Sequence, residues 1–253
     1  MAEEKSTMHQ VPPLGAGGGE VVIIKYNAGN IQSVLYALER IGVQAVVTDD
    51  HEQIKSADKV IFPGVGEASS AMRYLKERGL DKLIKHLKQP VLGICLGMQL
   101  MCKYSEENDT DCLGIFDEEV KLFRPVNVTR KKTKEEKLIQ QLNETLVISE
   151  THSLEEASEL TSLLGDGCKV PQIGWNNIYN LRTDLFKNVN ENSYCYFVHS
   201  YYASLGEHTI ATTDYIQPYS SALHKNNFYG VQFHPEKSAT MGEQILKNFA
   251  LNP

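Results

Sequence analysis

The chain has 253 residues, enough for one large α/β domain or two small ones with a sizeable core. Lys and Arg number 25 against 32 Asp and Glu, a formal net charge of −7 without large single-sign blocks, which argues against nucleic acid or an anionic membrane as the main partner. No apolar run approaches the roughly 18 residues of a membrane span, and the 5 cysteines lack C-x-x-C spacing, so a reduced, cytoplasmic protein without a disulfide framework or zinc site is expected.

Met1–Glu20 is polar and then Gly-rich, without the charged-then-apolar signature of a signal peptide, and is expected to be a flexible leader. The folded domain is expected over 21–253. Val21–Ile24 reads as a buried parallel strand, and Ile31, Val34, Leu35, Leu38 and Ile41 recur at helical spacing up to Gly42. Gln44–Thr48 and Lys59–Phe62 are further strand candidates, the latter running into Pro63-Gly64-Val65-Gly66. A helical stretch through Met72, Leu75, Leu80, Leu83 and Leu87 leads to the apolar strand that carries Cys95. Strands alternating with helices predict an α/β fold with a mixed, largely parallel central sheet flanked by helices. From about 124 to 168 the texture changes to a charge run, Arg130–Lys137, and a helical periodicity over Leu154–Leu164, which reads as a solvated insertion. Beyond it, Ser193–Ser204 reads as a buried aromatic strand, Thr209–Asp214 and Phe228–Phe233 as strands, and Gly242–Leu251 as a closing helix. Strands crowded together without intervening helices predict that part of the sheet is antiparallel.

Chemistry concentrates at Gly93-Ile94-Cys95-Leu96-Gly97, where an apolar strand meets a helix-forming segment. Small-x-nucleophile-x-small at such a junction is the nucleophile-elbow pattern, and the helix start favours a thiolate. The five residues alone fit a buried structural cysteine equally well. A cysteine nucleophile needs a base and a group to orient that base. His234, with Glu236 two residues on, supplies both at the end of the last strand, and Pro235 biases His234 to an extended backbone that sends the two side chains the same way. His199 and His224 are rivals for the base, His199 the stronger because it also lies near a strand end. Glycines in the PGVG turn can present backbone N–H groups to a developing oxyanion, or form an ordinary tight turn. No Rossmann or P-loop glycine motif is present, so no nucleotide cofactor is expected, and no metal ligand set is recognised.

GICLGMQLM, PGVG and FHPEKS, in this order, resemble the class I, triad-type glutamine amidotransferases. CLGMQ, VPQIGWNN, YFVHSYY and GVQFHPEKS are similar to one branch of them, the glutaminase subunits of histidine biosynthesis. The resemblance covers Val21 to about Phe249 apart from the insertion. It implies Cys95, His234 and Glu236 as catalytic triad, and an oxyanion hole from the backbone of Leu96 and the Val65-Gly66 turn. It implies glutamine binding by Gly66, Gln99, Glu107, Ser200 and Tyr201. The branch passes ammonia to a (β/α)8-barrel cyclase subunit, and Asn30, Trp175, Asn176 and Lys237 match positions at that interface. Three features depart from the branch: Asn27 stands where it has a glycine, Gln172 where it has a histidine, and the insertion of roughly forty residues exceeds an ordinary loop.

Overall fold

The computed structural model describes residues 19–26, 31–124 and 169–251. Most of the leader, Asn30 and the insertion with its charge run and helical periodicity lie outside the described residues. In chain order the first half runs β1 (Val21–Ile24), α1 (Ile31–Arg40), β2 (Ala45–Thr48), α2 (His51–Ser56), β3 (Lys59–Gly64), α3 (Ala68–Glu77), α4 (Leu80–Lys85), β4 (Val91–Cys95) and α5 (Leu96–Met101). Short strands β5 (Tyr104–Ser105), β6 (Thr110–Asp111) and β7 (Glu119–Leu122) follow. After the undescribed segment come β8 (Gln172–Ile178), β9 (Ser193–His199), β10 (Tyr201–Ala203), β11 (Thr209–Asp214), β12 (Pro218–Lys225), β13 (Phe228–Val231) and α6 (Ala239–Leu251).

The main sheet has the order β2-β1-β3-β4-β13-β12-β10-β7-β5-β6, with β11 also paired to β12. From β2 to β13 every pairing is parallel, and from β13 to β12 the direction reverses. The expected mixed α/β sheet is thus present, parallel in one half and antiparallel in much of the other. Apart from Lys59 at the start of β3 and Thr48 at the end of β2, its parallel strands lack polar side chains, because helices cover both faces. Along β1, Val22 and Ile24 face one apolar cluster while Val21 and Ile23 face the other, the alternation a pleated strand imposes. Each such side chain, fully buried, stabilises the fold by about 1.5–3 kcal/mol.

Two sequence expectations need correction. The helical stretch through Leu87 is two helices, because Gly79 takes a left-handed backbone (φ 67°) that ends α3 and turns the chain into α4. The stretch Ser193–Ser204 is two strands in different sheets. Its first part, β9, pairs with β8 in a separate antiparallel ribbon, whereas β10 joins the main sheet between β12 and β7. Nor is β9 uniformly buried: Tyr194 is 60% exposed while Cys195 and Phe197 are covered.

Candidate active site

β4 lies in the middle of the parallel half, flanked by β3 and β13, and Cys95 is its last residue. Helix α5 starts at the next residue, so the chain reverses within one position. Cys95 takes φ 54° and ψ −111°, a backbone that costs a side-chain-bearing residue roughly 1–3 kcal/mol and persists only where its surroundings over-determine it. Strand pairing on one side and the helix on the other do so here. Gly97 lets α5 approach β3 closely, since a Cβ there would strike the Phe62 carbonyl. Cys95 is buried, at 6% exposure, and its sulfur has the Val198 carbonyl at 3.9 Å and the Gln232 side-chain amide at 3.7 Å.

His234 follows β13, the strand next to β4, which brings a residue far away in sequence beside Cys95. Its N–H donates to the Tyr196 carbonyl at 2.9 Å. Pro235–Lys237 form a 3-10 turn that folds the Glu236 carboxylate back, and His234 Nδ1–H donates to Glu236 Oε1 at 2.8 Å. Nε2 is left to the Cys95 thiol. Both side chains are buried, His234 at 4% and Glu236 at 1% side-chain exposure. Burial by itself lowers the His234 pKa, but hydrogen bonds and charge attraction from Cys95 and Glu236 outweigh it and raise the value to about 10. Ser238 closes the turn: its hydroxyl donates to the His234 carbonyl at 2.6 Å and accepts from the Tyr196 N–H at 2.9 Å.

Of the residues expected to form the oxyanion hole, Val65 and Leu96 lie beside the triad. Val65 shares a tight crevice with Pro63, Gly64, Ile94, His234 and Glu236, and Leu96 is buried at the start of α5. Gly66 lies in the exposed turn before α3. Of the expected glutamine-binding residues, Gln99, Tyr201 and Glu107 lie near one another. Gln99 on α5 donates to the Tyr201 carbonyl at 2.8 Å, and Tyr201 senses the Glu107 charge. Glu107 in turn accepts from the Ala68 N–H at 2.7 Å, at the foot of the Gly66 turn. Burial raises the Glu107 pKa, although the Ala68 hydrogen bond pulls the other way. Ser200 sits between β9 and β10, where its carbonyl accepts from Phe123 N–H at 3.0 Å.

The rival bases are placed otherwise. His199 is buried among Phe123, Phe197 and Tyr219, its Nδ1–H given to the Tyr201 carbonyl at 2.7 Å, and burial lowers its pKa to about 4. His224 stacks on Tyr229 and turns Nε2 to the Asn226 carbonyl. Neither has the buried carboxylate that orients His234. Of the expected interface residues, Trp175 projects from the outer face of the β8–β9 ribbon, 53% exposed beside Ile173 and Tyr194. Lys237 is exposed on the turn after His234. Asn176 points to the opposite face of the ribbon, where its side chain donates to the Asp214 carbonyl at 2.8 Å. Gln172 is buried and accepts from the Tyr219 hydroxyl at 3.0 Å.

Sequence reasoning missed Gln232, Ser238 and the β8 strand. Gln232 stands two residues before His234 in the segment leaving β13, and the 3-10 turn over Pro235–Lys237, not the expected extended chain, brings Glu236 to the same imidazole. The arrangement is a thiol, an imidazole and a carboxylate in hydrogen-bonded series, suited to acyl transfer through a covalent sulfur ester.

Residues 22–253 match the family model described as Glutamine amidotransferase class-I. Two curated relatives carry the name imidazole glycerol phosphate synthase subunit HisH. The one from Bacteroides fragilis is 54% identical over 230 residues, and the one from Bacteroides thetaiotaomicron is 50% identical over 230 residues. Each alignment covers 91% of this chain and 98% of the relative. Among solved structures, a GMP synthase subunit from Thermoplasma acidophilum shares the fold, with a TM-score of 0.61 at 15% identity over 93% of this chain and 94% of that one.

Proposed function

Because the chain belongs to the class-I glutamine amidotransferase family, we propose that it is the glutaminase subunit of an imidazole glycerol phosphate synthase, serving histidine biosynthesis in the cytoplasm. The observation that carries the reading is the Cys95–His234–Glu236 series at adjacent strand ends, with the Gln99–Tyr201–Glu107 set beside it. The family description supplies glutamine, and the relatives' names supply the synthase.

Cys95, as thiolate, attacks the side-chain amide carbon of glutamine, and the carbonyl oxygen gains charge that the Leu96 and Val65-Gly66 backbone would meet. His234, protonated through neutral pH, gives its proton to the departing nitrogen, so ammonia leaves and a thioester remains. Neutral His234 then takes a proton from water, which attacks the thioester carbon and releases glutamate. Glu236 holds the imidazole in one orientation and tautomer throughout. Gly66, Gln99, Glu107, Ser200 and Tyr201 bind the amino-acid end of glutamine in this reading. No cofactor or metal enters these steps.

Ammonia is then handed to a (β/α)8-barrel cyclase subunit, which closes the imidazole ring to give imidazole glycerol phosphate and an aminoimidazole carboxamide ribotide. The exposed apolar face of Ile173, Trp175 and Tyr194 supports such docking, since large exposed apolar patches mark interaction sites. β9 carries that face on one side and the Val198 carbonyl beside Cys95 on its backbone, so the docking surface and the nucleophile share one strand. Asn30 and Lys237 complete the proposed interface, whereas Asn176, expected there too, turns its side chain to the Asp214 carbonyl on the opposite face. The proposed domain plan is a leader over 1–20 and an amidotransferase domain over 21–253 with an insertion at about 124–168.

The test is glutamate release from glutamine by the full chain, alone and with a cyclase barrel and its ribotide ligand. Release that rises strongly with partner and ligand is expected. Vigorous release indifferent to the barrel would assign the chain to another amidotransferase.

A further inference from the structure

We infer that Gln232 is the residue that holds the reacting sulfur, oriented for that task by a side-chain relay from the Tyr201 carbonyl through Gln99. The inference rests on Cys95 being the nucleophile and names a further member of its site.

Gln232 is fully buried just beyond β13, where its backbone N–H donates to the Ser221 carbonyl at 2.9 Å. A buried side-chain amide is costly unless its donors and acceptor find partners. The two ends of an amide have nearly the same shape, so the hydrogen-bond network decides which way it points. Here the decision begins at a backbone carbonyl. Tyr201 O only accepts, so Gln99 must turn its NH2 group to it, at 2.8 Å. The same Gln99 nitrogen lies 2.9 Å from Gln232, which must therefore answer with its oxygen. The Gln232 NH2 group is thereby turned to Cys95 Sγ, at 3.7 Å. Reversing Gln232 would set NH2 against NH2 at its contact with Gln99. One carbonyl fixes both amides.

The consequence lies in what surrounds the sulfur. The Val198 carbonyl, 3.9 Å away, accepts the thiol hydrogen but repels a thiolate. Gln232 does the reverse, because an N–H bond to an anion is stronger than one to a neutral group. With the proton on His234 and the sulfur anionic, the sulfur's favourable contact is Gln232 and no longer Val198. The donor also keeps the thiolate aimed while it attacks, and receives it again when the thioester is hydrolysed. Since Gln99 belongs to the proposed glutamine-binding set, a bound substrate that steadies Gln99 steadies the nucleophile through the same relay.

The experiment alkylates the full chain with iodoacetamide across about pH 5 to 10 and follows carbamidomethyl-Cys95 by peptide mass spectrometry, since only the thiolate reacts. This small reagent does not depend on the glutamine site. Gln232→Glu keeps the shape and replaces the donor by an acceptor. Its alkylation midpoint is expected to rise by about one pH unit, a tenfold loss of thiolate at lower pH. Gln232→Met is expected to shift it less, in the same direction. Gln99→Met, which does not touch the sulfur, is expected to shift it too, and the Gln99→Met/Gln232→Met pair no further than Gln232→Met alone. Should a Gln232 variant lose its cooperative thermal melt, Gln99→Met reads the relay from its other end. Midpoints equal to wild type in the folded variants overturn the inference while leaving Cys95 as nucleophile. A wild-type Cys95 that stays unlabelled at every pH overturns the nucleophile assignment and the inference with it.

Discussion

His234 and His199 stand close enough to sense each other's charge and are about equally buried, at 3% and 6% exposure, yet their pKa values move in opposite directions. Both lose solvation, which disfavours the imidazolium. His234 is held by the Glu236 carboxylate and the Cys95 sulfur, and these raise its pKa to about 10. His199 has Tyr201 O on one nitrogen, Tyr219 Oη at 3.3 Å from the other, and aromatic rings around it, so burial prevails and its pKa falls to about 4. Depth of burial does not make a catalytic histidine. The counter-charge built beside it does.

The strongest way to break this contrast is to remove the charged member. His234→Gln is expected to lower glutamine turnover by roughly 10²–10⁴-fold, the usual contribution of a positioned acid–base group, with circular dichroism unchanged. Near-normal turnover would place the acid–base role elsewhere, with His199 the first to examine.

Glu236→Gln sharpens the comparison by removing one of the two groups that raise the His234 pKa and leaving only the Cys95 sulfur. The His234 pKa, followed by NMR of the imidazole, is expected to fall below its native value of about 10. The linkage sign follows from a raised histidine pKa. Its stabilisation is complete below the unfolded value of 6.5 and is lost as pH rises towards about 10. Wild type should therefore lose stability over that alkaline window, and Glu236→Gln should lose less. Identical alkaline profiles would remove the coupling.

The smallest effect concerns His199, whose lowered pKa gives the opposite window. Its contribution is complete above 6.5 and is lost as pH falls to about 4, because the unfolded chain then binds a proton that the folded one refuses. The shift corresponds to about 3 kcal/mol. Urea unfolding at neutral and acid pH should show that loss in wild type and a reduced one in His199→Gln, which retains a donor for Tyr201 O. An unchanged acid loss would assign it to other groups.

Much of the site was legible because its parts lie at strand ends with local signatures. Gly93–Gly97 reads as an elbow since only small residues fit where β3 and α5 meet. The spacing of His234 and Glu236 is a weak signal alone, and their pairing rests on the family resemblance and is made by a 3-10 turn in place of an extended chain. Choosing His234 over His199 was harder, as both follow an aromatic strand and differ only in what folds beside them. The β8–β9 ribbon escaped notice because Gln172–Asn177 mixes polar, glycine and aromatic residues, while Ser193–Ser204 looks continuous although it changes sheet at Ser200.

Apolar periodicity and motif spacing account for the alternation of strands and helices, the elbow at Cys95 and the likeness to a family of amidotransferases. These are local matters, set by the period of apolar residues and by where a chain can turn. Only the tertiary structure decided which histidine holds a charge, where Trp175 projects, and that Gln232 turns its amide to the sulfur. Those outcomes depend on β13 lying beside β4 and on Gln99 meeting Tyr201, contacts between residues distant in the chain. Hydrogen-bond direction and pKa belong to such neighbours, and no local pattern of residues specifies them.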